Sequence, residues 1–479
     1  MSLSDFQPVI GLEVHAQLLT HTKIFCGCST TFGAAPNHNT CPVCLGLPGV
    51  LPVLNARVVE YAVRTGLALG CTVKKTSVWS RKNYFYPDLP KGYQITQFDQ
   101  PICEWGQLAV DTPEGEKTVR VRRIHMEEDA GKSVHDASAS ESLVDLNRAG
   151  VPLLEIVSEP DLRGSDEAVD YLKALRDVLV YLGVNDGNME EGSFRCDANV
   201  SVMRKGASAY GQRVELKNIN SFRFVKQAID YEISRQVDLL ESGGKVDQET
   251  RLYDPNRGET RAMRSKEDAH DYRYFPEPDL PPLHVTDAQL DEAARALPEL
   301  PRAKVSRFMS QYGLPAYDAR ILCAERPLAD YFEAVAQHHA DAKRLSNWCL
   351  GELLRLLKEE GGSVTTLRFS TVQFGALLDA VGKGTISANA GKDVFAEMFR
   401  TGKDPLALIE EKGLAQVSDT GAIEAVVDDI LAKNADAAEK YRAGKKQMFG
   451  FFVGQVMRAM KGKGNPTLVN DLLRQKLGD

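Results

Sequence analysis

Three stretches of the 479-residue chain, residues 8–18, 194–203 and 213–219, alternate with a strict period of two. A strand points successive side chains to opposite faces, so that period is its signature. In the first, Leu12, Val14, Ala16 and Leu18 share one face and Glu13, His15 and Gln17 the other. In the second, Cys196, Ala198, Val200 and Val202 oppose Arg195, Asp197, Asn199 and Ser201; in the third, Glu215 stands between Arg213 and Lys217 on the polar side. Each alone describes an ordinary antiparallel strand wet on one face. If they share a sheet, Glu13, His15, Asp197 and Glu215 share one surface with basic residues, and a metal and phosphate site becomes the better joint reading.

A fourth stretch adds acids. Residues 119–124 are alternating and rich in β-branched side chains, and they lead into His125, Glu127, Glu128, Asp129 and Lys132 around a turn at Gly131. Hard cations such as Mg²⁺ prefer carboxylate oxygens and keep positions open for phosphate, which suits Glu127 and Glu128. Alone, the cluster reads more readily as a solvated acidic turn. Gly131-Lys132-Ser133 is not a P-loop, because Met126 stands where that pattern needs glycine. No Gly-x-Ser-x-Gly elbow is present, so any hydrolysis of an amide donor would have to come from elsewhere.

Cys26 and Cys28, then Cys41 and Cys44, form two closely spaced thiol pairs such as a tetrahedral structural Zn²⁺ requires; a metal-free redox pair or reduced cysteines remain alternatives. Cys71, Cys103, Cys196, Cys323 and Cys349 are isolated and read as reduced core residues. Residues 80–94 are too rich in Pro, Gly and aromatics for regular structure. There Arg81, Lys82 and Lys91 could hold phosphates while Tyr84, Phe85 or Tyr86 stacks on a base, or the stretch could be a packed aromatic turn.

Helical periodicity covers residues 53–69, a helix capped at Ser165 and running to Gly183, and another from Ser221 to Gly243. Helices that do not alternate regularly with strands indicate an α+β domain with a mainly antiparallel sheet. Four prolines at 276–282 mark a boundary near 285, beyond which the pattern is helical to about 414, with later helices at 423–431, 445–458 and 469–477. Gly450 and Gly454 suit either close contact with another backbone or ordinary helix packing. The domains are thus expected at 1–290, 291–412 and 413–479. Net charge is −8, but residues 440–479 carry +7 and the rest −15, so a basic end on an acidic body offers a phosphate-backbone contact or a solvated face. With no apolar run of 18 residues and no leader pattern, a cytoplasmic protein without a membrane span is expected.

With these residues in hand, the sequence closely resembles the B subunit of the tRNA-dependent amidotransferases that convert Glu-tRNA(Gln) to Gln-tRNA(Gln) and Asp-tRNA(Asn) to Asn-tRNA(Asn). The most specific stretches are Ile10-Gly-Leu-Glu-Val-His15, residues 26–49, 83–91, 127–132, 145–155, 189–199 and 215–221. Small departures occur at Leu216, Ile219 and Gly464. The resemblance implies a glutamine-synthetase-like cradle, a helical domain and a tail that meets tRNA. It also implies a heterotrimer with an amidase A subunit and a small C subunit, and use of ATP and Mg²⁺ to phosphorylate the mischarged side chain.

On that reading Glu13, His15 and Glu128 bind Mg²⁺, with Glu127, Asp197 and Glu215 as further ligands. Arg81, Lys82 and Lys132 neutralise phosphate, Tyr84 contributes to the nucleotide site, and Lys445, Lys446, Arg458, Lys461 and Lys463 contact the tRNA backbone. The competing reading is a zinc-stabilised, non-catalytic tRNA-binding scaffold.

Overall fold

The computed structural model describes residues 5–112, 115–135, 142–264, 272–416, 419–460 and 463–478. The chain forms two compact units, Met1–Leu300 and Pro301–Asp479. The first is the α+β unit that the alternating stretches require. Among the described residues its main sheet has nine strands, in the order Glu259–Arg264, Thr250–Asp254, Val214–Lys217, Phe194–Arg204, Phe6–Gln17, Pro152–Ser158, Gly115–Glu128, Cys103–Thr112 and Thr72–Val73. All neighbours are antiparallel except Val214–Lys217 with Thr250–Asp254.

One face of this sheet is apolar and dry. Leu12, Val14, Ile124, Met126, Leu154, Ile156, Ala198, Val200 and Leu216 are each at most 1 % exposed. They share a core with Leu172, Leu175 and Leu179 of the helix Ser165–Tyr181 and with Val225, Ile229 and Val237 of the helix Phe222–Glu241. Burying one such branched side chain contributes about 1.5–3 kcal/mol. The helices therefore hold the sheet from behind and leave its other face to chemistry.

Two local expectations need correction. The helix starting at Ser165 is capped by the backbone of Gly164 with no side-chain bond, whereas Ser221 does cap its helix by accepting from the Phe224 N–H. Residues 80–94 are not wholly irregular: Ser80–Asn83 pairs antiparallel with Tyr93–Thr96, and the Pro- and Gly-rich part is only the tip of this hairpin.

The second unit is helical, from Pro301–Tyr312 to Pro466–Leu477. Phe308, Phe332, Phe374 and Phe395 centre one core, and Ile423, Val427, Phe452, Val456 and Leu473 centre another. Gly450 and Gly454 are exposed, and a Cβ added at either would meet nothing within 4 Å, so neither serves packing within the described chain. Among the described residues no helix is long and apolar enough to cross a membrane.

Candidate active site

The strand register assembles the site. His15 lies opposite Glu155 and Glu155 opposite His125, so three neighbouring strands present imidazole, carboxylate and imidazole in one row. One step along, Glu13 lies opposite Asp197; beyond them Asn199 is the partner of Glu215. These side chains line a cleft of about 590 Å³ together with Lys82, Arg123, Glu127, Arg213 and Lys217. Phe98 and Tyr274 stack at its edge, centroids 4.0 Å apart, beside Tyr272.

Within the cleft the acids separate into two groups. His125 Nε2 is 3.0 Å from Glu155 Oε2, and His15 Nε2 is 3.6 Å from the same oxygen and 3.9 Å from Glu127 Oε1. Thr96 Oγ1 donates to Glu127 at 2.9 Å. Burial alone would lower the His15 imidazole, but its bond to Glu155 and the charges of Glu127 and Asp197 outweigh burial and raise it to about 9. Glu155 is pushed up by burial yet held well below the carboxylate range by His125 and His15. In the second group Asn199 Nδ2 donates to Glu13 at 2.9 Å, Thr250 Oγ1 donates to Glu215 at 2.8 Å, and Lys217 Nζ bridges Asp197 at 2.6 Å and Glu215 at 2.9 Å. Burial and the carboxylates of Glu155, Glu215 and Asp197 raise Glu13.

The donors fit a hard divalent ion. One ligand atom each from His15, Glu127 and Glu155 lie within 4.8 Å of one another, and two of the three are carboxylates facing a cleft with room for phosphate. Arg123 Nε, buried there, has no hydrogen-bond partner among the described residues, which suits an anionic second ligand. Lys82 also faces the cleft, 5.0 Å above the Tyr272 ring; burial would lower it, but Glu127 and Glu155 raise it above the ordinary lysine range.

Four expected residues do not join this group. Glu128 follows Glu127 on a strand and so faces the opposite way, where Lys91 pairs with its carboxylate and the Ile95 N–H donates to it at 2.8 Å. It cannot ligate an ion in the cleft. Arg81 likewise points away from Lys82 and forks onto the buried Glu277 at 2.7 and 2.9 Å, so its charge is already spent. The Tyr84 hydroxyl donates to Gln94 at 3.1 Å and its ring packs on Tyr86 and Tyr272, while Phe98, Tyr272 and Tyr274 are the rings at the cleft. Lys132 is exposed on the separate strand Lys132–His135 and does not line the cleft. Sequence reasoning assigned no role to His125 or Glu155; the signal for Glu155 was a lone acid inside the largely apolar strand Pro152–Ser158.

Away from the cleft, Cys26, Cys28, Cys41 and Cys44 bring their sulfurs within 4.8 Å of one another. Two of the separations are 3.4 and 3.7 Å, near the roughly 3.8 Å edge of a tetrahedron with Zn–S bonds of about 2.3 Å. The hydrogen bond from Cys26 and the ammonium of Lys23 draw the Cys44 thiol below its ordinary range. These thiols fit a structural metal. The other five cysteines are buried. In the second unit Lys445, Lys446, Arg458 and Lys463 are exposed; Lys461 lies outside the described residues.

Comparison with known proteins bears on what this cleft does. Residues 8–291 match the family model described as the GatB/GatE catalytic domain, and residues 330–477 match that of the GatB domain. The chain is 78% identical over 479 residues to a Myxococcus xanthus protein named as the B subunit of aspartyl/glutamyl-tRNA(Asn/Gln) amidotransferase, covering 100% of both chains. Proteins of the same name from Anaeromyxobacter dehalogenans and Geotalea daltonii are 62% and 60% identical, over 100% and 99% of each chain.

Proposed function

The chain belongs to the family of aspartyl/glutamyl-tRNA(Asn/Gln) amidotransferase B subunits, and from that premise we propose that its cleft performs the ATP-dependent step of tRNA-linked amidation. The side-chain carboxylate of glutamate or aspartate esterified to tRNA attacks the γ-phosphorus of ATP, giving ADP and an acyl phosphate. Ammonia then attacks the acyl carbon and expels inorganic phosphate, leaving the amide. The first step is needed because a carboxylate is negative and its oxygen leaves poorly, whereas phosphate is a stabilised leaving group. Phosphoryl transfer asks mainly for positioning and charge neutralisation.

The observation that carries this reading is the row His15–Glu155–His125 with Glu127 beside it. His15, Glu127 and Glu155 would hold Mg²⁺, which when bound offsets phosphate charge. Glu13, Asp197 and Glu215 continue the polar face toward Arg213, and Asn199 and Thr250 hold two of these acids in place. Lys82 and Arg123 meet phosphate oxygens. Ammonia comes from a glutaminase A subunit in a complex with a small C subunit, in keeping with the lack of an amidase elbow here. The four cysteines hold zinc as a staple, and the basic residues of 413–479, among them Lys445, Lys446, Arg458 and Lys463, touch the tRNA backbone. The reaction belongs to translation and takes place in the cytoplasm.

The test is ADP release by the complex given ATP, Mg²⁺ and Glu-tRNA(Gln). The reading expects release that requires the mischarged tRNA and is lost in Glu155→Gln. Release indifferent to aminoacylation, or none from a folded complex, overturns it.

A further inference from the structure

The two acid groups of the cleft differ in one respect: in the second a lysine ammonium bonds directly to two carboxylates. Lys217 Nζ bridges Asp197 and Glu215, while the nearest acids of the first group, Glu127 and Glu155, meet imidazoles and the Thr96 hydroxyl. Lys217 is placed there by its strand, two residues after Glu215 on the same face. The next residue, Asn218, has φ of +64°, and its side-chain amide donates to the Tyr253 carbonyl at 3.0 Å. Asparagine tolerates that left-handed backbone, so the end of the strand is pinned just beyond the lysine. The second carboxylate pair is fixed as well, Glu215 by Thr250 and Asp197 by the lysine itself.

Many phosphoryl-transfer sites neutralise charge with two divalent ions about 3.5–4 Å apart. We propose that this cleft uses one divalent ion, at His15, Glu127 and Glu155, and that the Lys217 ammonium stands in place of a second at Asp197 and Glu215. The inference rests on the function proposed above and narrows it. A lysine confers a fixed charge that needs no recruitment, and it makes the site depend on divalent ion to first order. Glu13, bonded by Asn199 and close to both groups, lies between the resident charge and the exchangeable one.

The experiment counts Mn²⁺ bound to the full chain by electron paramagnetic resonance, independently of turnover. Wild type should bind one ion in the cleft, lost in Glu155→Gln. Lys217→Gln removes the ammonium and leaves two carboxylates facing each other, so it should bind two, and the added Asp197→Asn change should return the count to one. Lys217→Arg keeps the charge and should stay at one. Correspondingly, the rate of ADP formation should follow Mg²⁺ to first order in wild type and to second order in Lys217→Gln. Two cleft ions in wild type overturn the proposal without any variant, and one ion in a folded Lys217→Gln overturns it too. No cleft ion in wild type removes the ion site itself, and with it the function proposed above.

Discussion

The cleft row and the four-cysteine segment are both sets of side chains suited to a cation, yet the chain builds them in opposite ways. His15, Glu155 and His125 sit on three adjoining strands whose rear face is a dry apolar core, so their positions are fixed before any ion arrives. Cys26, Cys28, Cys41 and Cys44 sit on bends, turns and irregular backbone with little apolar burial between them. A pre-built site spends binding energy on chemistry, whereas a loop site spends it on folding. Metal loss should therefore silence the first without unfolding it and loosen the second without touching the reaction directly.

Removing one acid from the row should give the largest effect. Glu155→Gln is expected to lower tRNA-dependent ADP formation by about 10²–10³-fold, as loss of a preorganised charge-stabilising group does, while the melting temperature changes little. A large fall in melting temperature would place Glu155 among the structural acids and blur the contrast. Cys44→Ser should do the reverse: roughly 3 kcal/mol or more of stability lost, with faster proteolytic cleavage across residues 26–49, read by denaturant unfolding and limited proteolysis. Unchanged stability with or without a zinc chelator would break the comparison from the other side.

A smaller effect comes from pH. His15 is raised from 6.5 to about 9, so in the ion-free chain its protonated form contributes stability that is complete below about 6.5 and lost as pH rises through about 9. A divalent ion needs the neutral ring, so Mg²⁺ affinity should rise with pH across that window by up to about tenfold per unit, with proton release seen in calorimetry across buffers. Flat affinity would remove His15 from the ion's ligands. Smallest is the tail: Lys445→Ala with Lys446→Ala should raise the tRNA KM several-fold, roughly 1 kcal/mol for the pair, with little change in kcat.

The contrast also explains what was legible in the sequence. Alternation revealed the strands and which of Glu13, His15, Asp197 and Glu215 face together, because period two is written in neighbouring residues. It also held the answer for Glu128, which a cluster of acids obscured: adjacent residues on a strand point to opposite faces, so Glu127 belongs with His125 and Glu128 with Met126. The same rule separates Arg81 from Lys82. What no local pattern could supply was the pairing of Arg81 with Glu277, 196 residues away, or the register that sets Glu155 between two histidines. Glu155 hid in a strand that is otherwise apolar but for Ser158, where a lone acid is easily passed over.

On the proposed function the cleft face, carrying Glu127, does the phosphoryl chemistry and the reverse face, carrying Glu128, does not. The most direct test sets Glu127→Gln beside Glu128→Gln and measures tRNA-dependent ADP release per folded molecule. The first should fall about 10²–10³-fold with its fold intact. The second leaves the half-buried Lys91 without its carboxylate partner and should lose about 3 kcal/mol of stability, yet its folded fraction should release ADP within about threefold of wild type. Equal losses, or a greater loss in folded Glu128→Gln, would contradict the account.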